Sequence, residues 1–164
     1  MDINSQFNQR LLKLYLFLKD EKEVTYDSFS EYEPLLQSDF TKIIAEFKRM
    51  IGTLHLKCSF FESVIDNKEN PTQFKKKIYY FQQISDDYSF ELTACNSDDK
   101  QKYIYVIFYL MIRNHQYVSL KTLNNVLSIV IEDYTFKRLV TNINKLMIDD
   151  LQKNELQSYV VDEW

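Results

Sequence analysis

The chain has 164 residues, of which 45% are apolar and 15% aromatic, including 12 tyrosines and 12 phenylalanines. This composition is ample for a sizeable core and argues against a disordered chain. The 20 basic and 24 acidic residues give a net charge of -4, which argues against a general affinity for nucleic acid but permits one local basic surface.

Glycine, proline and cysteine are all scarce. With a single glycine, Gly52, glycine-dependent phosphate loops and glycine hairpin turns are excluded, and a mainly helical fold fits better. Two cysteines do not make a secreted disulfide framework, and no signal segment opens the chain. The most apolar run, Tyr103–Ile112, is too short to cross a bilayer. We therefore expect a reduced, cytoplasmic protein without a membrane partner.

The first predicted elements are two helices separated by a charged stretch. A buried helix is predicted over Phe7–Lys19. Thr25 is then placed to cap a short helix that includes Phe29 and Tyr32. Pro34 ends this second helix, because the residue before a proline disfavours the helical conformation.

The third predicted helix begins at Ser38 or Asp39, either of which can serve as its cap. Its apolar residues recur at helical spacing, at Phe40, Ile43, Ile44, Phe47 and Ile51. Gly52 comes next, where a helix C-cap prefers glycine. Beyond it the apolar residues alternate as in a half-buried strand, at Leu54, Leu56, Cys58 and Phe60. Residues 61–65 could turn back and form the antiparallel partner of this strand.

The middle of the chain is predicted to connect two folded parts. Residues 66–73 are polar and form the best candidate linker. The segment "FKKKIYYFQQI", residues 74–84, is predicted to be a connecting helix, and a strand is predicted near residues 88–95. Later elements are a helix over 102–113, a short helix capped by Ser119, an amphipathic helix over Glu132–Leu146 and a strand in the tail.

The two ends of the chain resemble each other. An offset of 94 residues pairs Val24 and Thr25 with Val118 and Ser119, and an offset of 96 lays residues 40–51 over 136–147 with apolar positions matched. Each end reads as long helix, capped short helix, amphipathic helix and strand signals, which is the plan of a winged helix. The predicted fold is mainly α with small β-hairpins, built as two winged-helix-like units in tandem at 1–66 and 101–164, with 67–100 between them.

The opening of the chain resembles a known family. The segments "RLLKLYLFLKDEKEVTYDSFS" and "SDFTKIIAEFKRMI" resemble the helix-turn-helix of bacterial DeoR-type and Mga-type transcription regulators. The segments "LHLKCSFFESVIDNKEN" and "FKKKIYYF" loosely resemble the part of Mga-type regulators that is C-terminal to this helix-turn-helix. The resemblance covers the first 80 residues and, less closely, residues 101–148. It implies the DNA-binding part of a regulator, with double-stranded DNA as the partner.

The candidate DNA-binding residues lie on the third helix of each unit, since that helix enters the major groove in DNA-binding winged helices. Arginine and asparagine match base edges, while lysine and threonine can hold phosphates. The exposed face of the third helix carries no acid in the second unit, whereas it carries Glu46 in the first. We therefore expect the second unit to make the main contacts with DNA bases. The candidates are Lys137, Arg138, Thr141, Asn142 and Lys145 in the second unit, and Lys42, Lys48 and Arg49 in the first.

Several other functions remain open. Acidic tandem winged helices also occur in protein-binding adaptors that resemble the kleisin-associated subunits, and the scarcity of glycine fits that class. A plasmid or phage replication initiator is a third hypothesis, and a small all-helical interaction protein is a fourth if the repeat is accidental. A homodimer would double a DNA footprint. "FKKKIYYF" could bind nucleic acid through lysines and aromatics, although packing of the aromatics is the ordinary alternative.

Catalysis and metal binding receive little support. His55 and Cys58 are three residues apart, but on a strand they would point to opposite faces. The carboxylates fall mostly in charged turns, where a solvated role is the default. We therefore expect no metal, no cofactor, no catalytic residues and no enzymatic activity.

Overall fold

The computed structural model describes residues 5–65, 76–85, 96–113 and 118–146. These ranges contain seven helices and a three-stranded antiparallel sheet, so the fold is mainly α with a small hairpin sheet, as the sequence predicts. In chain order the elements are α1 (Gln6–Glu21), β1 (Glu23–Val24), α2 (Tyr26–Tyr32), α3 (Gln37–Thr53), β2 (Cys58–Ile65), β3 (Lys76–Gln83), α4 (Ser97–Lys102), α5 (Ile104–Arg113), α6 (Leu120–Leu127) and α7 (Asp133–Leu146).

The first two helices form as predicted. Helix α1 is capped by Ser5, whose hydroxyl accepts from the backbone N–H of Asn8 at 3.3 Å. Helix α2 is capped by Thr25, which accepts from the N–H of Ser28 while the Ser28 hydroxyl accepts from the N–H of Thr25. This reciprocal pair satisfies two N–H groups that the first helical turn leaves without partners.

Both ends of α3 differ from the prediction. The helix begins at Gln37 after Leu36, so Ser38 and Asp39 lie inside its first turn and neither caps it. Gly52 is also inside the helix, and the left-handed position falls on His55, which has a φ of 52°. A Schellman motif closes the end, because the N–H groups of His55 and Leu56 reach the carbonyls of Gly52 and Ile51.

The sheet is a hairpin with a short third strand, in the order β1-β3-β2. Strands β2 and β3 pair along their whole length, from Cys58 opposite Gln83 to Ile65 opposite Lys76. The strand predicted to start at Leu54 therefore starts later, and residues 61–65 continue it instead of returning beside it. Strand β1 joins the other edge, with Val24 opposite Tyr79.

The predicted connecting helix over 74–84 is wrong, because Lys76–Gln83 is strand β3. Tyr79 and Phe81 are buried on one side of this strand, where their rings lie 5.9 Å and 6.5 Å from the ring of Phe60. Burial of alternate aromatics against a partner strand outweighs the weak helical pattern of the isolated segment.

The first unit has the element order of a winged helix, with β2 and β3 as its wing. Since β3 pairs with β2, the sheet reaches Gln83, beyond the unit boundary predicted at residue 66. The strands predicted near 88–95 and in the tail lie outside the described residues.

The second unit repeats the helices of the first. Ser119 caps α6 by accepting from the N–H of Thr122 at 3.1 Å, as Thr25 caps α2, and Val118 is buried just before it, as Val24 is. The third helices share their buried register. The matched buried pairs are Phe40/Phe136, Ile43/Leu139, Phe47/Ile143 and Met50/Leu146.

One hydrophobic core runs through both units. Helix α1 packs against α5, and α7 also packs against α1. Tyr15 and Tyr109, which the 94-residue offset pairs, meet edge to face with ring centroids 5.9 Å apart. Equivalent residues in contact are expected where a local two-fold axis relates two repeats. Among the described residues, none of the helices has the length and apolar character needed to span a bilayer.

Candidate nucleic-acid interface

Helix α7 presents one side to the core and the other to solvent. Its buried residues are Phe136, Leu139, Ile143 and Leu146, and Phe136 lies 6.2 Å from the ring of Phe108 on α5. Because a helix repeats every 3.6 residues, the opposite side carries the residues at i, i+4, i+7 and i+11. We call this side the α7 stripe, and it consists of Tyr134, Arg138, Thr141 and Lys145, all exposed.

The stripe is basic and aromatic. The Arg138 guanidinium carbon lies 5.7 Å from the centroid of the Tyr134 ring, a cation–π arrangement, and Tyr134 is 67% exposed. Thr141 donates its hydroxyl to the carbonyl of Lys137 at 2.9 Å and remains exposed. Lys137 is exposed beside the stripe. Guanidinium, ammonium and hydroxyl groups on one helix side can donate to phosphates and base edges.

Asn142, which the sequence predicts to contact a DNA base, does not lie on the stripe. It is half-buried, and its amide nitrogen donates to the Tyr105 hydroxyl at 3.2 Å. This bond connects α7 with the buried face of α5. The half-buried Asn142 is thus bonded to α5, while the other four predicted residues of α7 are exposed.

The corresponding face of α3 is different, because two of its three predicted residues are held in ion pairs. Lys48 lies 3.8 Å from Glu62 on the wing and 5.8 Å from the ring of Tyr79. Arg49 makes a two-pronged contact with Asp99 on α4, at 2.8 Å and 3.1 Å. A guanidinium with a bidentate carboxylate partner is not available to a phosphate without breaking that pair. The third residue, Lys42, is exposed.

Arg49 belongs to a polar cluster that joins the first unit to α4 and the start of α5. It also donates to the Tyr103 hydroxyl at 2.9 Å and to Glu46 at 3.2 Å, and Lys102 lies 3.3 Å from Glu46. The hydrogen bond to Asp99 raises the pKa of Arg49, and burial raises the pKa of Tyr103. Burial also acts to raise the pKa of Glu46, but hydrogen bonds from Tyr103 and Lys102 outweigh it and lower that pKa.

Sequence reasoning missed this cluster. Asp99 and Tyr103 lie 50 and 54 residues from Arg49 in the chain, and no local pattern marks them as its partners. Glu46, which the sequence places on the face toward DNA, instead accepts hydrogen bonds within the cluster. The face of α3 therefore contributes to holding the molecule together.

His55 and Cys58, the two residues considered as metal ligands, do not form a metal site. His55 lies in the turn after α3 and is not part of a strand, while Cys58 begins β2. Burial raises the pKa of the half-buried Cys58 thiol to about 11, which keeps it protonated near neutral pH. Across residues 5–65, 76–85, 96–113 and 118–146, no three His, Cys, Asp or Glu residues are grouped as metal ligands.

Comparison of the chain with protein-family models, curated protein sequences and solved structures finds no significant match. The geometry of the described residues is therefore the basis for a proposal about function.

Proposed function

We propose that the protein binds double-stranded DNA through the α7 stripe and acts as a transcriptional regulator. The observation that carries this proposal is the exposed stripe of Tyr134, Arg138, Thr141 and Lys145, without an acid among them, on the third helix of the second unit. In a winged helix this is the helix that enters the major groove.

Each residue of the stripe has a role that fits its chemistry. Arg138 would bond the O6 and N7 atoms of a guanine, the commonest specific contact of arginine in the major groove. Thr141 and Lys145 would hold backbone phosphates, assisted by Lys137 beside the stripe. The exposed ring of Tyr134 would keep the Arg138 guanidinium extended toward the groove by the cation–π contact.

The first unit supplies an internal comparison. The 96-residue offset places Lys42 at the position of Arg138 and Arg49 at the position of Lys145. Lys42 is exposed like Arg138, but Arg49 is paired with Asp99. We therefore assign base reading to α7 alone, which narrows the set of residues predicted from the sequence.

The test compares two matched substitutions on a duplex selected from a random pool. Arg138→Ala should weaken binding to the selected duplex by about tenfold or more, because one bidentate arginine–guanine pair contributes about 1–3 kcal/mol of discrimination. Lys42→Ala removes a charge from the equivalent position of the first unit and should change the affinity less than about twofold. Fluorescence anisotropy measures both affinities.

Two results would count against the proposal. Equal losses in the two variants would mean that charge alone, and not the α7 stripe, determines the binding. Failure of the wild-type protein to bind any duplex at low salt would contradict DNA binding and favour the protein-binding adaptor.

A further inference from the structure

Strand β2 is an edge strand of the described sheet. In the order β1-β3-β2 it has β3 on one side, and the described residues place no strand on the other. An edge strand carries a row of backbone N–H and C=O groups without sheet partners, and proteins usually blunt it with lysine, proline or a short length. Strand β2 spans eight residues, contains neither lysine nor proline, and has Glu62 as its only charged residue.

The outer face of this wing carries exposed apolar residues among serines, Lys76 and Gln82. Phe61 is 57% exposed and stacks on Tyr80 of β3, with ring centroids 5.2 Å apart. Ile65 is 47% exposed, and the strand register puts it on the same face as Ile78. Exposed aromatic and aliphatic side chains beside an edge strand are typical of a surface that pairs with another strand.

The central three residues of the outer face of β2 are symmetric about Phe61. Ser59, Phe61 and Ser63 are alternate residues on that face, and all three are exposed. A two-fold interface requires a patch that is complementary to itself. An antiparallel pairing centred on Phe61 would place serine opposite serine and phenylalanine opposite phenylalanine, both favourable cross-strand pairs.

We propose that β2 pairs antiparallel with β2 of a second copy of this chain, with Phe61 at the two-fold axis. The rings of Tyr80 and Phe61 from each copy then form a continuous ladder of four aromatics across the joined sheets. In this register each Glu62 lies opposite Phe60 of the second copy. The register centred on Glu62 is disfavoured because it would set two carboxylates against each other.

The interface is small, so the dimer should be weak and depend on concentration. Two paired strands and their aromatic rings fall below the 1,200 Å² or so that stable complexes usually bury. The interface uses the wing and not the α7 stripe, so the inference stands independently of DNA binding.

Disulfide trapping tests the register directly, in a chain that carries Cys58→Ser and Cys95→Ser. Phe61→Cys should give an intermolecular disulfide under mild oxidation, because residues that face each other across antiparallel strands have Cα atoms about 4.5–5.5 Å apart. The pair Ser59→Cys and Ser63→Cys, made in one chain, should also be trapped as a dimer.

The matched control is Ser59→Cys alone. In the proposed register the two substituted positions lie four residues apart along the strands, about 13 Å, which is beyond the reach of a disulfide. Equal trapping of Phe61→Cys and Ser59→Cys would indicate random collision and would overturn the proposal, as would the absence of any trapped dimer.

Sedimentation velocity provides a second measurement that needs no cysteine. At about 100 µM, where a weak interface of this size should be partly associated, the wild-type protein should sediment as a mixture of monomer and dimer. Phe61→Glu should shift it to monomer, whereas Val130→Glu, which changes an apolar residue that is 93% exposed in another part of the chain, should not. A monomeric wild type, or a Phe61→Glu variant that still dimerises, would refute the proposal.

Discussion

At the scale of single residues, Glu33 illustrates how ion pairs fix the packing of the first unit. It lies after α2 and accepts from Arg10 at 3.2 Å and from Lys13, both on α1. Burial acts to raise the pKa of Glu33, but the hydrogen bonds from Lys13 and Arg10 outweigh burial and lower it below the ordinary value of 4.5. The folded state therefore holds the ionised carboxylate more strongly than the unfolded chain does.

This lowered pKa makes part of the stability dependent on pH. The contribution of Glu33 is fully present above its unfolded pKa of 4.5 and is lost as the pH falls through the lower folded pKa. Glu33→Gln should therefore cost about 1–2 kcal/mol at pH 7, and the difference from wild type should shrink as the pH falls below about 4.5. Urea unfolding of both proteins at a series of pH values measures this difference in the free energy of unfolding.

The control is Glu31→Gln, which changes an exposed carboxylate in the last turn of α2, two residues before Glu33. The free energy of unfolding of the Glu31→Gln variant should equal that of the wild type at each pH in the series. A deficit in Glu33→Gln that stays constant from neutral to acid pH would show that shape, and not charge, explains the loss.

At the scale of secondary structure, the helix caps of the two repeats lead to a matched prediction. Thr25→Ala and Ser119→Ala should each lower the free energy of unfolding by about 1 kcal/mol, because each removes the acceptor of an N–H in the first turn. Ser38→Ala should have little effect, because Ser38 does not cap α3. Denaturant unfolding of the three variants measures these changes in the free energy of unfolding. A loss of stability in Ser38→Ala equal to that in the other two variants would contradict the assigned caps.

The sequence predicts those elements whose signals are local. Thr25 and Ser119 are recognisable as caps because a cap and its helix lie within a few residues, and the helical spacing of Phe40, Ile43 and Phe47 is unambiguous. Strand β3 is missed because its lysines and aromatics also fit a helix, and only its pairing with β2 decides between them. The β-branched and aromatic run from Ile78 to Phe81 is the available strand signal.

The candidate site is predicted in part. The exposed stripe of α7 results from helical spacing alone, so the sequence predicts the exposure of Arg138, Thr141 and Lys145. The hydrogen bond from Asn142 to Tyr105 and the pairing of Arg49 with Asp99 depend on tertiary contacts between distant segments. No periodicity within one helix contains that information.

At the scale of the whole molecule, the two repeated units have different surfaces. Tyr15 and Tyr109 meet across α1 and α5, and the third helices bury the same register. The faces opposite that register differ, since α3 contributes Glu46 and Arg49 to a polar cluster with Asp99 and α7 keeps its stripe exposed. Within the described residues of this acidic chain, α7 thus keeps an exposed basic face, which the proposed DNA binding needs.

The most direct test of this account is the salt dependence of DNA binding. The affinity of the wild-type protein for its selected duplex should fall steeply between about 50 and 200 mM salt, because phosphate contacts release counterions. Lys145→Ala should reduce the slope of log affinity against log salt by about one, whereas Lys42→Ala should leave it unchanged. A wild-type slope near zero, or a slope that Lys42→Ala reduces and Lys145→Ala does not, would contradict the assignment of α7 as the helix that holds DNA.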